Sequence, residues 1–249
     1  MKQRAARKAP AARLPASRAL IEDLVAASRI LAQHEVLDAY GHVSARSDHL
    51  REHFVMSRAL APALVTAADL MELDAESEPL PGDGRKAFIE RYIHGEIYRS
   101  RPEVMAIVHS HSASVIPFGV TRSRLRPIYH MGAFLWSGTP VFDIRKVRPE
   151  IDLLVRDRGL GEALAGSLGG CSCVLMRGHG MTVVGDGVPE AVYRAIYTEM
   201  NARLQLQAGL LEGPIEFLSD EEGRRATVAN RGTLERPWEL WKKKALGRK

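Results

Sequence analysis

The chain has 249 residues, 45% of them apolar, enough to bury one sizeable core. Its longest apolar runs, such as Cys173 to Met176 and Pro140 to Phe142, fall far short of the roughly 18 residues a membrane span requires, so a soluble protein is expected. The net charge of +5 is concentrated at the two ends, where basic runs read as solvated tails, and no nucleic-acid-binding motif accompanies it; neither nucleic acid nor membrane is an expected partner.

Residues 1–16 carry Lys2, Arg4, Arg7, Lys8 and Arg13 without an acid and without the apolar stretch of a secretory signal, and read as a disordered basic arm. Residues 17–249 then form a single domain. From about Ser17 to Ala32 the residues Leu20, Ile21, Leu24, Val25, Ile30 and Leu31 stand at near-helical spacing and predict a first helix. Short strand-like pieces follow at Gly41 to Arg46 and His53 to Ser57. Pro79 to Gly84 is a loop, because its prolines and glycines break both periodicities. A helix is expected from about Arg85 to Arg99, and Val104 to His109 reads as a buried strand. Further on come a helix near Leu160 to Leu168, a hairpin-like pair at Val174 to Met176 and Met181 to Val184, and a long helix from about Pro189 to Leu210. The pattern is a mixed α/β domain with a central sheet and helices beside it.

Chemistry concentrates in three places. In His109-Ser110-His111, at the end of an apolar strand, side chains two apart project to one face, and two imidazoles can address one ion; the plainer reading is a pair of surface histidines. In Arg177-Gly178-His179-Gly180, glycine on both sides leaves space beside an imidazole, or the segment is a turn with an incidental histidine. Together the three histidines leave open positions on a zinc-like or manganese-like ion. Glu90 and His94, four apart on the expected helix, share one face and can look into the same cleft, where a carboxyl would be a fourth ligand or an acid/base; a surface glutamate is the alternative.

At these residues the sequence resembles the class II aldolase/adducin family. The likeness runs from the first helix and Gly41 to Arg46, through Glu90 to Tyr98, Arg101 to Val104 and His109-Ser110-His111, to Gly178-His179-Gly180 and Glu199. It implies a three-layer α/β/α fold around a mainly antiparallel sheet, and a homotetramer with active sites between subunits. It also implies His109, His111 and His179 as ligands of a divalent metal, with Glu90 as acid/base. Manganese or zinc is the expected ion, and iron(II) or cobalt would also suit three imidazoles.

The departures bear on the substrate. Sugar-phosphate aldolases of the family hold phosphate with a Gly-Asn-x-Ser segment, a Thr-Pro-Ser-Gly-like turn and a Ser-Ser pair before the glutamate. The corresponding places here read Gly41-His42-Val43-Ser44, Met56-Ser57-Arg58-Ala59 and Phe88-Ile89, and two apolar residues cannot replace hydroxyl donors. An arginine suits a carboxylate, and an apolar wall suits a flat ring. With Ile116 to Gly119, His130 to Phe134 and Met176 to Gly180, these features resemble the family's aromatic decarboxylase branch, which acts on dihydroxyphthalate and a hydroxy-methylpyridine dicarboxylate. His42, Ser44, Arg58, Phe88 and His130 are the expected contacts to a hydroxyaromatic acid substrate.

The resemblance implies a carbon–carbon lyase. Retro-aldol cleavage and decarboxylation both leave an electron pair that an enolate must hold, charge that a divalent ion stabilises. Three alternatives accompany this reading: an aldolase for an unphosphorylated or acidic substrate, an iron(II)-dependent oxygenase of a hydroxyaromatic acid, and a non-catalytic adducin-like scaffold. Cys171 and Cys173 form no disulfide framework and read as packing residues of a cytoplasmic protein. His34, His49 and His53 are expected at the surface, Tyr98 against the sheet, and Trp238 and Trp241 against a neighbouring subunit.

Overall fold

In the computed structural model, which describes residues 15–247, the short apolar runs form seven strands. They are β1 (His42–Arg46), β2 (Phe54–Ser57), β3 (Leu70–Leu73), β4 (Ala106–Ser110), β5 (Val141–Phe142), β6 (Cys173–Met176) and β7 (Gly180–Gly185). They join into one sheet in the order β3-β2-β1-β4-β7-β6-β5. Every pairing is antiparallel except β5 with β6. Seven α-helices accompany the sheet: α1 (Arg18–Gln33), α2 (Arg91–Ser100), α3 (Ile116–Val120), α4 (Arg158–Leu168), α5 (Val188–Ala208), α6 (Asp220–Arg231) and α7 (Glu235–Ala245).

Strand alternation divides the core in two. Val43, Ala45, Ala106, Val108, Met181 and Val183 face one way and pack with Leu24, Ile30 and Leu31 of α1, Val192 and Ile196 of α5, and Trp238 of α7. Phe54, Met56, Ile107, Val174 and Val184 face the other way and pack with Ile93 and Ile97 of α2 and Leu160 and Leu164 of α4. The expected α/β/α layering around a mainly antiparallel sheet is therefore what forms.

Several boundaries differ from expectation. The second helix begins at Arg91, not Arg85. Residues 85–89 run instead beside the turn after β2, where the Ala59 amide donates to the Lys86 carbonyl, and the Arg85 side chain is fastened to Asp83 and to the Ala68 carbonyl. The carboxy-terminal basic run, expected as a solvated tail, is largely helical: α7 lies along α1, and Lys242 binds Asp23 at 2.5 Å and Glu22 at 3.0 Å. Trp238 is buried in the same core and Trp241 packs on His34 and Tyr197, so both indoles are engaged within their own chain. The basic arm lies outside the described residues apart from Pro15 and Ala16, and Ala16 is buried in the core.

His34 and His49 are exposed as expected, whereas His53 is half-buried and sits 3.1 Å from Glu72. Cys173 is fully buried, and burial pushes its thiol far above the usual range. Cys171 is half-buried, with its thiol donating to the Ser137 carbonyl. Among the described residues no helix is long and apolar enough to cross a membrane.

Candidate metal centre and adjoining cavity

On β4, Ala106 and Val108 turn to the α1 side and Ile107 to the α2 side, so His109 also points toward α2. Pairing sets His42 of β1 opposite it on one side and Thr182 of β7 on the other. His109 is completely buried. Its Nδ1 lies 3.1 Å from the Met181 carbonyl oxygen, which can only accept, so Nδ1 carries the proton and Nε2 presents a lone pair. That Nε2 is buried without a hydrogen-bond partner.

The turn between β6 and β7 supplies His179. Gly178 has φ +66°, a conformation that favours glycine, and a Cβ at Gly180 would stand 1.9 Å from the Ser110 carbonyl oxygen. Both glycines are thus needed to bring the turn against the end of β4. His179 Nδ1 donates to the Leu153 carbonyl at 3.0 Å, and His111 Nδ1 is held by the Asp38 carboxylate at 3.2 Å. With all three Nδ1 atoms anchored, the Nε2 atoms are left to converge, and those of His111 and His179 are 3.2 Å apart. Outer partners of this kind are what orient metal-binding imidazoles.

Glu90, immediately before α2, completes the group. One oxygen accepts from the Val155 amide at 2.9 Å; the other faces Nε2 of His179 at 3.4 Å and Nε2 of His109 at 3.6 Å. Burial raises the pKa of this carboxyl, but the neighbouring imidazoles of His179 and His109 outweigh it and bring it to about 2. One donor atom from each of Glu90, His109, His111 and His179 lies within 4.8 Å of the others. The orphaned Nε2 of His109 and a set of three imidazoles plus one carboxylate fit a divalent transition-metal ion.

A cavity of about 440 Å³ opens beside this cluster, and His42, Glu90 and His111 form its polar wall. Phe88, Ile89, Leu60 and Leu154 supply an apolar wall, with the His42 and Phe88 rings 4.5 Å apart. Tyr40 and Lys86, which sequence reasoning passed over, also line it; Lys86 arrives because residues 85–89 are not helical.

Three expected substrate contacts lie elsewhere. Arg58 directs Nε to Asp69 at 2.8 Å and is not among the lining residues, because pairing of Ser57 with Leu70 brings Asp69 opposite it. Ser44 is fully buried behind the cavity, 2.6 Å from His94 Nδ1 and 2.8 Å from the Tyr98 hydroxyl. His130 is exposed at the start of a 3-10 segment (His130–Ser137), its carbonyl accepting from Asn230 of α6. His94, expected to look into the same cleft as Glu90, does not line the cavity and stands behind His42, with its Nε2 2.7 Å from His42 Nδ1. Burial holds both imidazoles well below the ordinary histidine range, that of His94 at about 3, so both are neutral.

The family model for the class II aldolase and adducin N-terminal domain matches residues 22–206 of this chain. Over 251 aligned residues, 92% of this chain and 94% of its relative, it is 41% identical to the decarboxylase tropJ of Talaromyces stipitatus. It is 36% identical to a 3,4-dihydroxyphthalate decarboxylase of a Terrabacter species, across 83% of this chain and 87% of that one. The solved L-fuculose 1-phosphate aldolase of Glaciozyma antarctica superposes with a TM-score of 0.75 over 92% of each chain at 24% identity, a likeness of fold. This chain belongs to the class II aldolase/adducin family.

Proposed function

We propose that this protein is a divalent-metal-dependent carboxy-lyase that removes carbon dioxide from a hydroxylated aromatic dicarboxylate. The observation that carries the reading is the position of the Glu90, His109, His111 and His179 cluster at one wall of a cavity whose other wall is apolar and ends in Phe88. The names of the two relatives compared by sequence, both decarboxylases, point the same way. Manganese or zinc is the ion we favour, in a cytoplasmic homotetramer.

His109, His111 and His179 would hold the ion through Nε2, with Glu90 beside them or as a fourth ligand. A bound divalent ion supplies Lewis acidity, drawing charge toward a ring oxygen and away from the carbon that loses carbon dioxide. Phe88 and Ile89 stack on the ring and exclude water. His42 and Lys86 hold the substrate's carboxylates, the role that sequence reasoning assigned to Arg58 or His42.

Glu90 is ionised in the resting site and acts first as a base. It takes the proton of the ring hydroxyl as substrate binds. The carbon–carbon bond then breaks, its electron pair stays with the ring, and carbon dioxide leaves. Glu90 returns the same proton to that ring carbon, and the product oxygen regains a proton from solvent. Each turnover therefore consumes one proton and no oxidant.

The test is carbon dioxide release by the manganese-loaded protein from a panel of ortho-hydroxylated aromatic dicarboxylates, with and without oxygen. Release that is independent of oxygen and abolished by a chelator is expected. Aldehyde formation, oxygen consumption, or metal-free inert protein would replace the reading with the aldolase, oxygenase or scaffold alternative.

A further inference from the structure

Behind the cavity wall four side chains form a continuous hydrogen-bonded row, all buried: His42, His94, Ser44 and Tyr98. The distances along it are 2.7 Å from His42 Nδ1 to His94 Nε2, 2.6 Å from His94 Nδ1 to Ser44 Oγ, and 2.8 Å from Ser44 Oγ to the Tyr98 hydroxyl. The row crosses between β1 and α2 three times and ends on α2, and none of its members belongs to the proposed metal cluster.

Its far end dictates its direction. Among the described residues the Tyr98 hydroxyl has one hydrogen-bond partner, Ser44 Oγ, so the Tyr98 proton must be donated there or be buried without an acceptor. Ser44, already accepting from Tyr98, donates its own proton to His94 Nδ1. His94 then carries its proton on Nε2 and donates to His42 Nδ1. His42 is left with its proton on Nε2, the one polar atom of that ring still uncommitted, and His42 lines the cavity. The opposite direction would strand a hydroxyl proton of Tyr98 in the core.

We infer that the Tyr98–Ser44–His94 row fixes His42 as the Nε2–H tautomer, a neutral hydrogen-bond donor aimed into the cavity at an anionic oxygen of the substrate. Tyr98, Ser44 and His94 are positioning residues, acting on the ligand only through His42. The selectivity that follows is for an acceptor: a carboxylate beside His42 is bound, and a group that can only donate, such as an ammonium, at the same place is not. This consequence for substrate rests on the carboxy-lyase reading; the tautomer itself does not.

The tautomer is read by proton–nitrogen correlation spectra of the full-length, zinc-loaded protein labelled with ¹⁵N at histidine, with a His42→Asn spectrum used to assign the ring. In the unaltered protein His42 is expected to be protonated at Nε2 and bare at Nδ1, and a proton on Nδ1 would overturn the inference without any variant. In Tyr98→Phe the row loses its terminal donor, so the two tautomers of His42 should both become populated, with KM for the dicarboxylate rising roughly twofold and kcat little changed. Ser44→Ala, which cuts the row at a smaller residue, should do the same if Tyr98→Phe folds poorly. A His42 tautomer indifferent to both substitutions would make the row merely structural. If the tautomers shift as described and no dicarboxylate is turned over, the row stands and the carboxy-lyase reading fails; turnover with unmoved tautomers would be the reverse.

Discussion

The two faces of the same central strands are built on different rules. Toward α1, α5 and α7, strands β1, β4 and β7 present Val43, Ala45, Ala106, Val108 and Val183, side chains that ask only for close filling. Toward α2 the same strands present His42, Ser44, His109 and Thr182, all buried. A buried polar group costs stability unless it is hydrogen-bonded, so this face works only as a closed network. Its members find partners in His94, Tyr98 and the Met181 carbonyl, and among them the one buried atom left over is Nε2 of His109. An apolar face tells a reader where the core is; the unmet atom on a polar face tells where a ligand belongs.

Substitutions on the two faces should separate activity from stability. The largest effect is expected from His109→Ala, which removes a proposed ligand: activity should fall by at least roughly a thousandfold together with metal content, while the melting temperature of the metal-free protein stays near that of the parent. Metal analysis and calorimetry on the same sample check this. Glu90→Gln should retain the ion through three imidazoles and lose roughly 10² to 10⁴ in kcat, since the amide can neither take nor return a proton. A variant with its metal and full turnover would remove Glu90 from the chemistry.

On the opposite face, Leu24→Ala in α1 should destabilise by about 2–5 kcal/mol in denaturant titration and leave kcat per folded molecule unchanged. Lys86→Ala is expected to raise KM for dicarboxylates severalfold with little change in kcat, because an exposed ammonium contributes modestly. The smallest effect concerns Cys173, whose buried, high-pKa thiol should ignore a thiol reagent in the native protein and react once it unfolds.

The elements that periodicity exposed were those whose neighbours along the chain decide their environment. α1, β1, β2, β4, the β6–β7 pair and α5 all alternate or repeat strongly enough to be read directly. β3 escaped because it is four residues long and interrupted by Glu72, which is buried against His53, and β5 because it is only two residues. α6 and α7 escaped because they are dominated by charge, and Lys242 reveals its role only through acids more than two hundred residues away.

The candidate metal cluster was legible because family spacing and residue type point to it together. The cavity was less so. Arg58 looked free until strand pairing placed Asp69 beside it. Lys86 was hidden inside an expected helix that begins six residues later than its pattern implied, and Ser44 and Tyr98 became informative only as links between β1 and α2. Pairings across strands and helices are what a linear reading lacks.

The most direct measurement strips the protein of metal, titrates manganese or zinc back by calorimetry, and follows anaerobic carbon dioxide release from a hydroxylated aromatic dicarboxylate in the same samples. One ion per chain, with release rising in proportion to occupancy and both lost in His109→Ala, is the predicted result. Release that is indifferent to occupancy, or an ion that binds undiminished in His109→Ala, would contradict the assignment of this cluster as the catalytic metal centre.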